Sequence, residues 1–222
     1  MFKVILQSHW SWSKLLLGPG MIAAFALPIL AVQEAAGSLS DPQLSAWGTA
    51  GLLHEMEQWG IWYAALAAAL GLAVATGAWG SDHRGGHVYA LSLPLERWRY
   101  VLLRYGSGVV LLGAPIVFFW LGALLAAAAI ELPDGLHAYP TTLAIRFALA
   151  ALVAFSVFFA ISAGTARTAG YILVVVGGLL AAKLLLNTAG AGFDPLAYVI
   201  DRLTYWPGPL QVFTGRWMLI DV

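Results

Sequence analysis

Two histidines four positions apart, His83 and His87, and the arginines around them are the residues of this chain whose types and spacing most invite chemistry. A pair at i and i+4 shares one helix face, an arrangement that can hold a metal or a haem. Structural zinc needs four ligands, and neither a cysteine nor a carboxylate completes such a set here. His9, His54, His83, His87 and His137 all fall in loops or at the edges of apolar stretches, whereas a haem b site wants pairs within them. They read as loop histidines, and no metal ligand is assigned.

Nucleophilic catalysis has little to work with. Tyr105-Gly106-Ser107-Gly108 superficially matches the serine motif of intramembrane proteases. It lacks the G-x-S-G spacing and a histidine deep in a later apolar stretch, so no catalytic residue is assigned and the chain is not read as an enzyme. A G-x-x-x-x-G-K-[ST] phosphate loop is absent, so the chain cannot bind ATP by that route, and no cofactor is expected on it. Two cations stand out by position: Arg146 and Lys183 lie just within the ends of apolar stretches. Charge at membrane depth is costly and marks candidate function. Both are shallow enough to snorkel into headgroups. The other account is a shared contact for an anionic substrate or lipid headgroup, with Glu34 and Glu131 placed to pair with them.

The elements that must position these residues are dictated by composition. Of 222 residues, 61% are hydrophobic and 10% charged, and the mean hydropathy is +0.82. Soluble domains carry about 25% charged residues. That deficit excludes an ordinary soluble enzyme, a disordered chain and a nucleic-acid binder. An all-α integral membrane protein of one membrane domain remains.

A membrane helix needs about 20 apolar residues, and five stretches qualify: 15–32, 60–79, 101–130, 142–163 and 170–186. The third exceeds what a bilayer requires and is expected to tilt, project or bend near Pro115. Residues 1–14 read as a separate interfacial amphipathic helix, with Phe2, Ile5, Leu6, His9 and Trp10 on one face. Gly18, Pro19 and Gly20 are expected to break it from the first span. The transmembrane domain then covers 15–187. Residues 188–222 form an extracytoplasmic or re-entrant tail whose apolar runs are too short to cross.

Charge orients the chain. With the N-terminus inside, Lys3, Lys14, Arg84, Arg97, Arg99, Arg104 and Arg167 are cytoplasmic, and nearly all carboxylates fall on the other side. The expectation is five crossings, N-terminus cytoplasmic and C-terminus outside. The Ala- and Gly-rich run 64–77 suits close helix packing better than lipid contact.

Between the second and third stretches, residues 80–104 hold both inner carboxylates, Asp82 and Glu96, and a cluster of arginines. A short helix ending before Pro94 would carry both a charged and an apolar surface, suited to docking against another protein. A positive-inside anchor with an incidental turn explains the charge equally well. Asp82 and Arg84, the pair Gly85-Gly86, the apolar run from Val88 and Tyr89 to Leu91, the Leu91-Ser92-Leu93-Pro94 turn, and then Arg97-Trp98-Arg99-Tyr100 and Arg104 carry more. Together they resemble the first cytoplasmic loop of ABC transporter permeases of the type-2 exporter family.

The resemblance implies that segment 80–100 contains a coupling helix. It would be read by a separate cytoplasmic ABC ATPase subunit that binds ATP and Mg. Asp82, Arg84, Gly85, Gly86, Val88, Tyr89, Leu91 and Pro94 would make the ATPase contact. It implies further a permease subunit of an ATP-driven exporter in the cell (plasma or inner) membrane, working with a second permease subunit, identical or not, and with membrane lipid around it. Gly86 stands where Thr is commoner, Glu96 where a small hydroxyl is usual, and five stretches stand in place of the family's six. The alternative is a non-transporting membrane anchor or accessory subunit of a larger complex.

Overall fold

Backbone amides inside a bilayer have no water to bond, so apolar stretches of this length are stable there only as helices. The computed structural model describes residues 2–40, 48–84, 96–130, 132, 135–163, 166–188, 194–205 and 207–221. Its helices are α1 (Phe2–Ser40), α2 (Gly48–Arg84), α3 (Arg97–Ala129), α4 (Pro140–Ser162), α5 (Ala166–Thr188) and α6 (Pro195–Thr204), followed by a 3₁₀ turn at Pro209–Phe213. Two short strands, β1 (His137–Ala138) and β2 (Ile220–Asp221), pair antiparallel, His137 opposite Asp221.

The all-α membrane reading holds. Four helices are long and apolar enough to cross a bilayer, over Phe2–Gly37, Ala50–Gly80, Arg97–Ala129 and Pro140–Ser162. They contain the first two expected stretches and all but the last residue of the third and fourth. The fifth forms helix α5, 23 residues long, whose described apolar run is Gly177–Leu186.

The chain divides into two compact units, one of residues up to Phe159 with Arg216–Val222, the other Ala160–Gly215. The expected tail is thereby split: α6 and the 3₁₀ turn belong to the second unit, whereas Arg216 onward belongs to the first.

The N-terminal segment differs from expectation. No separate interfacial helix forms; α1 runs unbroken through Gly18, Pro19 and Gly20. Breaking it there would strand several amides and carbonyls in apolar surroundings, whereas a helix carried through Pro19 forfeits one hydrogen bond. The continuation places a seam on one side of α1: His9, Ser13, Leu17, Ala24, Ala31 and Ala35 are all buried. Steps of four and seven keep that seam facing α2 and α3, the two helices along which α1 packs.

Small residues set the spacing. Gly122 of α3 lies against the backbone of Phe25, Gly77 of α2 against Ser13, and Gly108 of α3 against the ring of Phe155. A β-carbon on Gly71 would come within 2.6 Å of the Phe155 backbone nitrogen, so α2 and α4 meet backbone to backbone. Lipid tails are as apolar as leucine, so such close approach, rather than hydrophobic exclusion, drives helix association. Larger side chains fill what remains: Phe119 of α3 stacks on Phe147 of α4 at 4.0 Å, and Tyr63 of α2 meets Phe119 edge-on at 5.5 Å.

The same substitution therefore has opposite signs at two positions of α3. Gly122→Ala is expected to cost about 1–3 kcal/mol, because the methyl overlaps the Phe25 backbone. Gly113→Ala, with nothing within 4 Å, is expected to gain about 0.5–1 kcal/mol from helix propensity. Thermal unfolding in detergent reads both.

Candidate functional site

The residues singled out by sequence fall at opposite ends of the first unit and in the second. At one end, called here the loop end, α2 finishes at Arg84 and α3 begins at Arg97. Asp82 and Arg84 close α2, with side chains outside the described residues, and Gly85, Gly86, Val88, Tyr89, Leu91 and Pro94 lie outside the described residues altogether.

What is described is the chain on either side of that segment. Arg99 reaches Glu96 at 3.1 Å, both well exposed, a pair of small energetic consequence. One turn further, Arg104 is only 6% exposed. Its guanidinium carbon sits 5.3 Å from the ring of Trp79 on α2 and 4.9 Å from that of Tyr100, whose hydroxyl accepts from Nε at 2.8 Å. Aromatic faces take the place of water around this cation. Trp79 in turn donates from Nε1 to the carbonyl of Phe159 on α4 at 3.2 Å. Arg104 thus fastens the ends of α2 and α3 to each other, and Trp79 fastens both to α4.

His9 ties in the remaining helix. Its Nε2 lies 2.8 Å from the carbonyl of Val74, which only accepts, so Nε2 carries the hydrogen. Nδ1 is then a bare acceptor 2.8 Å from the Ser107 hydroxyl. The Ser107 hydroxyl also donates to the carbonyl of Arg104 at 2.7 Å, so its single hydrogen is shared between that carbonyl and His9 Nδ1.

This is nucleophile-and-base geometry that the spacing argued against, because the histidine comes from the first helix and not from a later one. Ser107 is wholly buried and His9 nearly so. The pair, with the Val74 carbonyl, joins α1, α2 and α3. Only the continuation of α1 past residue 14 brings His9 there; within the sequence, its spacing to Ser13 and Leu17 is the sole signal.

At the opposite end, called here the strand end, Arg146 of α4 donates from Nη1 to the carbonyl of Arg216 at 2.5 Å and lies 5.0 Å from the ring of Trp217. An open pocket of about 290 Å³ there is lined by Tyr139, Thr142, Leu143, Arg146, Arg216, Met218 and Asp221. Arg146 therefore holds the returning chain and does not simply reach out to headgroups.

Lys183 belongs to the second unit and has a different partner, Asp194, at 2.8 Å. Glu131, expected to be placed to pair with such a cation, lies outside the described residues. Asp194 is the N-cap of α6, accepting from the amides of Leu196 at 3.0 Å and Ala197 at 3.1 Å. The Lys183 hydrogen bond first, and the Ala197 amide next, hold its carboxyl below the ordinary 3.8. Lys183 thereby pins α6 to α5. Among the described residues, no three His, Asp or Glu side chains gather as a metal site. No protein-family model matches the chain, and neither a curated protein nor a solved structure shows significant similarity to it.

Two outcomes follow from these ties. A double-mutant cycle of His9→Ala and Ser107→Ala should return a coupling of about 0.6–1.7 kcal/mol, the range of side-chain hydrogen bonds between membrane helices; additive effects would mean no bond. The Asp194 carboxyl titrates lower folded than unfolded, so its contribution is complete above pH 3.8 and disappears as pH falls through the depressed value. Amide protection at Leu196 and Ala197, taken relative to intrinsic exchange, should fall over that acid range, and Asp194→Asn should abolish that change.

Proposed function

We propose that this chain is the membrane permease subunit of an ATP-driven exporter, worked through segment 80–100 by a separate ATPase. The observation that carries the reading is the tying of all four long helices at the end where α2 finishes and α3 begins. Arg104 joins α3 to α2, Trp79 joins α2 to α4, and His9 joins α1 to both α2 and α3. A push delivered to the loop is then shared by every helix of the unit.

Length supports the same reading. At about 1.5 Å per residue, α2 with 37 residues and α3 with 33 exceed a hydrocarbon core of about 30 Å. They flank the loop as stiff extensions of the bundle. In this reading the arginines at this end support a cytoplasmic location for it, in a cell whose plasma or inner membrane holds the protein. The strand end, carrying β2, then faces outside.

The loop's Asp82, Arg84 and Gly85-Gly86, with the apolar Val88, Tyr89 and Leu91 and the turn at Pro94, supply the ATPase contact in this reading. ATP and Mg stay on the partner, and a second permease subunit completes the path. One observation favours the alternative of a non-transporting anchor or accessory subunit. Residues with little or no side-chain bulk, Ala24, Ala31, Ala35, Ala67, Ala123 and Ala126, occupy the interior, and the polar pocket at Arg146 opens to the surface.

A mild-detergent pull-down through this chain separates the two. The exporter reading expects a stoichiometric soluble ATPase bearing a phosphate loop. Val88→Asp with Leu91→Asp should release it while membrane insertion stays intact. A stable assembly of other membrane proteins without an ATPase would establish the accessory role instead.

A further inference from the structure

Residues 216–221 cross the strand end of the first unit as a strap. Leu219 and Ile220 are wholly buried and Trp217 is 3% exposed. The strap touches three elements. On α2, a β-carbon at Gly60 would meet the β-carbon of Trp217 at 3.0 Å and its carbonyl oxygen at 3.4 Å. Beside β1, the Tyr139 amide donates to the carbonyl of Leu219 at 2.8 Å. On α4, Arg146 donates to the carbonyl of Arg216 and faces the Trp217 ring.

Two polar groups make this closed arrangement imperfect. The Trp217 Nε1 hydrogen and the hydroxyl of Tyr63, one turn along α2 from Gly60, are buried without a hydrogen-bond partner among the described residues. A buried donor left unmade favours any state in which it reaches water. The Tyr63 ring meanwhile heads a column with Phe119 and Phe147 that joins α2, α3 and α4. The strap thus bridges α2, β1 and α4 and is fastened by a two-pair ladder and one guanidinium bond, with Trp217 Nε1 and, one turn from Gly60, the Tyr63 hydroxyl both buried.

We propose that the strap is an openable latch: closed, it fastens α2, β1 and α4; lifted, it exposes Trp217 and Tyr63 to water and frees Arg146. The latch rests on this geometry and does not require the exporter reading.

Amide exchange on the intact protein in detergent tests it. The Tyr139 amide and those of the strap should exchange together, well ahead of the interior amides of α3 and α4. Arg146→Ala should speed both about tenfold, the scale of one charge-assisted hydrogen bond in a local opening equilibrium. The chain has no cysteine of its own. His137→Cys with Asp221→Cys therefore gives one defined crosslink between paired positions, which should slow both sets when oxidised and restore them when reduced. Should Arg146→Ala fail to fold, the oxidised and reduced forms of the double-cysteine protein decide alone. Strap amides that exchange only at the rate of the helix interiors, and do not respond to the crosslink, would overturn the latch.

Discussion

Gly122 rests against the carbonyl of Phe25, and the rest of the first unit takes its dimensions from contacts of that kind. Helices separated by bulky side chains would hold His9 too far from Val74 and Ser107 to bond either. With Gly71 against the Phe155 backbone, and Gly77 against Ser13, the axes approach closely enough for single side chains to bridge them. Backbone proximity is thus prior to the hydrogen bonds, because each bond is worth little where no hydrophobic exclusion supports it.

The two ends of the unit use that proximity differently. At the loop end a charge is buried and solvated by aromatic faces, with Arg104 between Trp79 and Tyr100. Arg104 Nε and the Tyr100 hydroxyl bond to each other, although the Ser13 hydroxyl against Gly77 is buried without a partner among the described residues. At the strand end Arg146 is committed to a segment that returns from the far part of the chain, and polar groups beneath it stay unmatched.

Four helices were legible in the sequence because hydropathy alone fixes them: a run of about 20 apolar residues has few alternatives in lipid. The continuity of α1 was not. Gly18-Pro19-Gly20 carries strong breaking propensity, and only the cost of stranding backbone groups in apolar surroundings overrides it. The His9–Ser107 pair was hidden for the same reason, since it requires the first helix to continue where local preference says stop. Arg146 and Lys183 were visible as unusual charges, but their partners, Arg216 with Trp217 and Asp194, lie where no periodicity of the sequence points. The segment carrying the family resemblance was legible only as a motif; Gly85 to Leu95 lie outside the described residues.

The pairing of β1 with β2 has a consequence for how the protein is made. Every residue of the second unit stands between the two strands in sequence. The four long helices can therefore insert and associate while synthesis continues, but their unit is finished only after α5, α6 and the 3₁₀ turn have left the ribosome. Contacts of such sequence separation form late and slowly. Until then the apolar floor under Trp217, Leu219 and Ile220 stands uncovered, and a nascent chain stalled within the second unit would be recognisable to quality-control machinery by that surface alone.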